Sequence, residues 1–420
     1  MKSFYSLSLT AFLLCLAVTP LMSYTSPFSA LSFGDFEPTV TLQPGTAVGD
    51  SLNLSAHNYA TWAQIVNTTF SVRSSLYFHK LEQQDGRTSQ YDRFAFEEIL
   101  FAMPFAERHF FGFSYYPVAV SEYSAVSEMT ELSNSFEYTK TRTLESRKGS
   151  IANASVIYGF SVSDISVAAG ASFRFGNYDI TSRYHYATYW DSDFSNLNWE
   201  KFFERKNTAG FANFTPDISV FYRSPSGLNA GAKIVIPVAT SYSKKSSFKR
   251  TTSFGTVLET ISEDESPSEN SDWPLEFGLG LSYSINNLTL AYDYSSMLFD
   301  GTETRLDDTI LNDRTRHSAG FKYRPSSRIF DSYYKRITYS GSFSVEKRPY
   351  RFGGKDISDI SQTIGFLLPF NNDRSAIDIT VSHTSSGNLS DNGIEGRSFR
   401  ITFGFISSDR WKLRKERYTD

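Results

Sequence analysis

The sequence predicts an all-β protein, a transmembrane antiparallel β-barrel of about fourteen strands with an N-terminal luminal plug. Three observations carry this reading. Apolar and small or polar residues alternate with a period of two from Phe70 to Phe405, the connections alternate between short and long, and the chain opens on an export signal. Successive strand side chains point to opposite faces, so the alternation gives each strand one greasy face and one small or polar face. It is cleanest in Leu275, Phe277, Leu279, Leu281, Tyr283 and Ile285, with Glu276, Gly278, Gly280, Ser282 and Ser284 between them. Phe399, Ile401, Phe403 and Phe405 repeat it around Arg400, Thr402 and Gly404. In a soluble sandwich the greasy face would meet a second sheet, and in a membrane barrel it meets lipid. The export signal, the sorted connections and an aromatic content of 16% decide for lipid.

Residues 1–23 combine Lys2, an apolar run from Leu7 to Met22, and small or polar residues after it, the outline of a secretory signal peptide. The run is short for a retained anchor helix. It contains the sole cysteine, Cys15, so the mature chain is expected to carry no disulfide, cysteine metal site or cysteine nucleophile. Residues 24–68 do not alternate and are rich in Pro and Gly. Their Phe28, Phe33, Phe36 and Trp62 are more apolar than a free linker needs, which favours a luminal plug over a disordered leader.

Strands are expected near 69–80, 92–103, 109–123, 149–160, 164–186, 207–223, 227–243, 272–285, 287–299, 313–324, 335–347, 356–369, 373–385 and 394–407, within a barrel spanning 69–408. Fourteen is an even number, as closure of an antiparallel barrel requires. Turn formers mark short connections at Pro104 to Arg108, Ser161 to Ser163, Ser224 to Gly227, Asn286 and Asn371 to Asp373. Long loops are expected at Ser124 to Lys148, Ala187 to Lys206, Ser243 to Ser271 and Gly301 to Asn312. Short turns in the periplasm and long loops outside put both termini on the periplasmic side, including a basic tail at 409–420. In Arg93 to Met103 the apolar parity slips across Glu97 and Glu98, which requires one extra residue, so a β-bulge or a non-strand entry is expected there, an irregularity that can open or reshape a barrel wall.

A formal net charge of −4 over 420 residues gives no reason to expect a nucleic-acid partner. The six histidines lack zinc spacing, and no cofactor or metal is expected. His383 and Ser385 share the outward face of their strand, but no orienting partner or oxyanion site accompanies them, so a girdle histidine is expected and not a lipase dyad. The acidic run Glu263 to Asp272 reads as a solvated loop, with divalent cations at the lipopolysaccharide surface as the sharper alternative. By parity Arg73, Arg174, Lys233, Lys322 and Arg400 face the lumen. There a cation either holds a ligand carboxylate or pairs with an inward acid such as Glu276, Glu346 or Asp378.

Several stretches carry a resemblance. Phe101-Ala-Met-Pro104 followed by Phe111-Gly-Phe-Ser-Tyr-Tyr-Pro117, the hairpin Gly149 to Gly176, and Gly365-Phe-Leu-Leu-Pro-Phe370 resemble the outer-membrane long-chain fatty acid transporters, the FadL-like family. The architectural likeness covers the whole mature chain. That family's leader usually carries a Gly-rich stretch and then Asn-Pro-Ala, whereas this chain reads Gly45-Thr-Ala-Val-Gly49 and then Ser55-Ala-His-Asn-Tyr-Ala60. The resemblance implies a non-enzymatic outer-membrane channel for passive uptake of hydrophobic small molecules such as fatty acids. It implies no cofactor, and contact with outer-membrane lipid and lipopolysaccharide. Some relatives serve secretion or surface attachment, so the alternative is a structural barrel that binds a polypeptide at its loops or periplasmic tail.

Overall fold

The protein is described by a computed structural model over residues 44–50, 53–83, 88–106, 108–126, 130–133, 138–189, 194–195, 197–270, 274–299, 312–352 and 355–409. Residues 1–23, expected to be a signal peptide, and all of the tail after Asp409 lie outside these residues, as do Phe28, Phe33 and Phe36. The strands are β1 (Thr68–Gln83), β2 (Thr88–Ala106), β3 (His109–Val126), β4 (Thr130–Ser133), β5 (Tyr138–Val162), β6 (Ile165–Tyr189), β7 (Leu197–Arg223), β8 (Leu228–Val235) and β9 (Ala239–Thr251). They continue with β10 (Val257–Asn270), β11 (Leu275–Ile285), β12 (Leu288–Leu298), β13 (Arg314–Tyr323), β14 (Thr338–Phe352), β15 (Lys355–Phe370), β16 (Ser375–Asn388) and β17 (Ile394–Asp409). Three wall strands are interrupted, β3 continuing as β4, β8 as β9 and β10 as β11, so the seventeen segments make fourteen antiparallel wall strands. The last pairs with the first, from Thr68↔Asp409 to Gln83↔Ile394, and the barrel closes.

One rim is built of tight turns except at residues 324–337, the connection that the sequence shows as longer from Pro325 to Tyr334 and that carries the short helix Tyr333–Arg336. Ser163, Asn286 and Asn371 adopt left-handed φ of 55°, 51° and 51°, the conformation that two-residue hairpin loops ask of Asn more readily than of most residues. The opposite rim is taller than the sequence suggested. Much of the stretch expected as long loops continues the wall: β5 begins at Tyr138, β7 at Leu197, and β9 and β10 form a paired hairpin across residues 239–270. β5 and β6 have 25 residues each and β7 has 27. At roughly 3.3 Å per residue such a strand is about 80 Å long, and tilted in a barrel it outreaches a hydrocarbon layer of about 30 Å. Backbone pairing and cross-strand side-chain pairs such as Arg183–Glu204 hold the extension without an alternation of apolar and polar faces, so none marks it in the sequence. The acidic run is part of this wall, with Glu263 and Glu265 of β10 beside Lys245 of β9 at 2.9 and 3.9 Å.

The outer face of the lower barrel is apolar. Phe173, Val220, Leu281, Leu290, Phe343, Ile364 and Phe403 all stand more than a third exposed, and the residues between them are inward and polar. Such a belt is stable only against lipid. His383 is exposed and sits on the face of Ile377, while Ser382 beside it is buried.

The inner face has three tiers. Nearest the turn rim, Leu100, Ala102, Phe110, Ile157, Ala168 and Phe221 are buried in one apolar cluster with Tyr59, Ala60 and Trp62 of the N-terminal segment. The middle tier is polar and charged, with Asn153, Ser155, Ser172, Arg174, Asn213, Thr215 and Asp217 all at 2% exposure or less. The same cluster extends past this tier toward the tall rim, through Tyr116, Val118, Ile151, Tyr178, Ile180, Phe211, Met297, Phe299 and Ile357.

Candidate functional site

The described part of the N-terminal segment lies inside the barrel and is fixed by the middle tier. Asp293 of β12 accepts hydrogen bonds from the Gly45 and Thr46 amides at 2.6 and 2.8 Å. Asn58 donates to the Thr46 carbonyl at 2.8 Å and to the Val220 carbonyl of the wall at 3.0 Å. Its side-chain oxygen also caps the short 3-10 helix Tyr59–Gln64 by accepting from the Ala60 amide. Ser282 of the wall donates to the Ala47 carbonyl at 2.7 Å. Wall glycines make the room. A Cβ on Gly231 would stand 1.9 Å from the Thr46 carbonyl oxygen, and one on Gly112 2.6 Å from the Trp62 ring. Gly231→Val is therefore expected to push the segment off its seat, seen as protease cleavage between residues 44 and 60 that the native protein resists.

Every lumen cation expected from parity faces this interior. Arg73 is 2% exposed and is shared between Glu98 and Asp378, the latter at 3.0 Å, while its Nη2 donates to Asn53 of the segment at 2.6 Å. Arg174 forms a two-pronged pair with Glu276. Lys233 donates to the Ala56 carbonyl at 3.0 Å and stands 4.1 Å over the Tyr59 ring. Lys322 pairs with Asp50. Arg400 donates to the Tyr77 hydroxyl at 3.1 Å. Glu276 and Asp378 are thus the partners that sequence alone offered, and Glu346 pairs instead with Arg314 at 2.7 Å. Arg73, Lys233 and Lys322 turn out to hold the inserted segment. Among the described residues no group of histidine, cysteine or carboxylate side chains is arranged to hold a metal ion.

The parity slip in β2 has one of the two causes the sequence indicated. Arg73 faces Glu98 and Ser74 faces Phe96, so Glu97 is the extra residue of a bulge. Both acids are nearly fully buried, and Glu97 accepts from the Tyr77 hydroxyl at 2.7 Å. The bulge has a further consequence on the other side of the strand. The β2–β3 ladder runs from Ala106↔His109 only to Ile99↔Tyr115. Above that point β2 continues against β1, and β3 continues against β5 from Tyr116 to Val126, with no ladder between the two. The strands part at membrane depth, because Phe94, Leu76 and Phe399 at the same level are exposed on the outer face. Tyr116 and Val118 of the upper apolar tier line β3 just inside the parting. Pro117 reinforces it, since proline lacks an amide and Val118 is a second bulge residue, skipped in the ladder to β5.

Between segment and wall lie a cavity of about 440 Å³ at the turn rim, lined by Trp62, Gln64, Ile65, Phe110 and Arg223, and two small cavities in the charged tier. One of about 90 Å³ is lined by Asp50, Asn53, Arg73, Glu98 and Lys322. The other, of about 130 Å³, is lined by Arg174, Lys233, Glu276, Arg314 and Arg316. Both are smaller than the roughly 300–1,000 Å³ of an ordinary small-molecule pocket, so neither holds an acyl chain in this conformation. Parity would also have found Asp293, Arg314 and Arg316, which lie on inward positions of β12 and β13. The partners Asp50, Asn53 and Asn58 carry no periodic signal.

A closed fourteen-stranded wall, an apolar outer belt, a filled lumen and a parted seam define an outer-membrane β-barrel with the fold of hydrophobic-compound channels. The chain belongs to the BamG family, whose profile matches residues 3–419. Among solved structures it is similar to the Pseudomonas putida toluene transporter TodX, with 11% identity over 84% of this chain and 93% of that one and a TM-score of 0.55. It is similar also to a Pseudomonas aeruginosa FadL homologue, with 8% identity over 87% and 96% and a TM-score of 0.58. These neighbours are channels and transporters, and at such identities the likeness is one of fold. No curated protein matches the sequence.

Proposed function

We propose that the protein is an outer-membrane channel for passive uptake of hydrophobic small molecules, with the turn rim and both termini in the periplasm. The observation that carries this reading is the seam between β2 and β3, which opens at lipid depth directly against the upper apolar tier. A hydrophobic molecule entering from the tall rim meets Phe211, Ile180, Tyr178 and Val118, and the charged middle tier with its inserted segment blocks the straight path below. A charged, filled tier excludes an apolar solute, because passage would strip ion pairs of their partners. The seam gives that solute a sideways exit into the membrane. The fold shared with a toluene transporter and a FadL homologue supports the same substrate class. In cells supplied with a fluorescent hydrophobic probe, expression of the protein is expected to speed uptake over cells lacking it, and equal rates would reject the reading.

A second reading rests on a different observation, the tall hairpins of β5–β7 and β9–β10. Phe254, Val257, Leu258 and Ile261 are exposed at the tip of the last hairpin, beyond the lipid belt. A barrel that binds a polypeptide would use such a surface. Deleting residues 240–270 in a form that still closes the barrel is expected, on this reading alone, to lose a partner recovered in stoichiometric amount with the full chain.

A further inference from the structure

Arg316 of β13 is only 6% exposed, yet its Nε and Nη2 have no hydrogen-bond partner among the described residues. These two N–H groups form the guanidinium edge that grips an oxyanion through two parallel bonds. The residue lines the cavity of about 130 Å³ between wall and inserted segment, together with Arg174, Lys233 and Arg314. Four cations thus border a space that one carboxylate, Glu276, also borders, and Glu276 is engaged by Arg174.

The other acids near Arg316 make their hydrogen bonds elsewhere, although Asp293 keeps its Oδ1 without a partner among the described residues. Glu346, opposite Arg316 in the ladder, accepts from Arg314, and Asp293 on the neighbouring strand accepts from the Gly45 and Thr46 amides. Water in the cavity would satisfy the free N–H groups, but it would add no negative charge to a space that four cations and only Glu276 border. A compact anion does both. The volume admits a tetrahedral oxyanion and is too small for an acyl chain. Thr46, Ala56 and His57 of the inserted segment form the opposite wall of the same cavity.

We propose that this cavity binds a compact oxyanion of the phosphate class, gripped by Arg316, which clamps the inserted segment to the barrel. The cavity also touches Tyr116 and Val118, which the uptake reading places at the seam, but its test measures phosphate and no hydrophobic ligand, so either reading can fail without the other.

The full chain, purified in detergent in a chloride buffer, is titrated with inorganic phosphate by calorimetry and by thermal unfolding, beside Arg316→Met. One-site binding and a phosphate-dependent rise in Tm are expected for the native protein, and the loss of both for Arg316→Met. Arg316→Lys keeps the charge without the fork, and is expected to weaken binding and to serve if the methionine variant does not fold. Hexyl phosphate separates the sources. Tighter binding than phosphate assigns the site to a lipid headgroup, and exclusion assigns it to the free ion. No phosphate-dependent heat or Tm change in the native protein, or the same response in Arg316→Met, overturns the proposal.

Discussion

Replacing Arg73 with leucine is expected to cost about 3–5 kcal/mol of stability, the usual penalty when one partner of a buried ion pair is removed and the other stays charged. Two carboxylates depend on this guanidinium, Glu98 at 1% exposure and Asp378 at 8%, and they would be left facing each other without it. The same change removes the hydrogen bond to Asn53, so the inserted segment loosens as the wall weakens. Denaturant unfolding in detergent micelles checks the first effect. The triple variant Arg73→Leu, Glu98→Gln, Asp378→Asn is expected to recover a large part of the loss, because it removes the stranded charges with the cation that held them. If Arg73→Leu alone unfolds like the native protein, the network has no part in holding the barrel.

Deleting Glu97 is expected to abolish uptake while leaving the barrel folded. Without the extra residue β2 keeps one parity from Arg93 to Met103, and its upper half can continue the ladder to β3 beyond Ile99↔Tyr115. The seam then closes and the upper tier loses its sideways exit. The deletion also removes the acceptor of the Tyr77 hydroxyl, so Glu97→Gln serves as the control that keeps the bulge and the hydrogen bond. Uptake of the fluorescent probe is expected to fall to the level of cells lacking the protein for the deletion and to stay near native for Glu97→Gln. A deletion variant that still transports would remove the seam from the pathway.

Where a residue's two faces meet different surroundings, the sequence announced the structure. Each of the fourteen expected strands has a counterpart in the wall, because lipid on one side and a polar lumen on the other impose alternation. The irregularity at Glu97 was legible for the same reason, as a bulge or a non-strand entry, and the β1–β2 register decides for the bulge. Arg73, Arg174, Lys233, Lys322 and Arg400 were placed inward by parity, and Arg316 could have been. The extensions Tyr138 to Lys148, Leu197 to Lys206 and Lys244 to Asn270 were not legible, since backbone pairing and cross-strand side-chain pairs such as Arg183–Glu204 and Lys245–Glu263 hold them without an alternation of apolar and polar faces. Nor were the anchors of the inserted segment. Asp293 lies 247 and 248 residues from the amides it holds, and no local pattern in Gly45 to Ala60 foretells such a contact. The parting of β2 from β3 stands between these cases. Glu97 and Pro117 hinted at it separately, and only the ladder registers join them.

The path itself can be mapped. A photoreactive hydrophobic probe is equilibrated with the protein in lipid nanodiscs, activated by light, and its attachment sites are read by mass spectrometry. The account predicts labels inside the upper tier and at the seam, on Val118, Tyr116, Phe211 and Phe96, in addition to the lipid belt. Labels confined to outward residues such as Phe173, Phe214 and Phe403, with none on the inner wall, would contradict it.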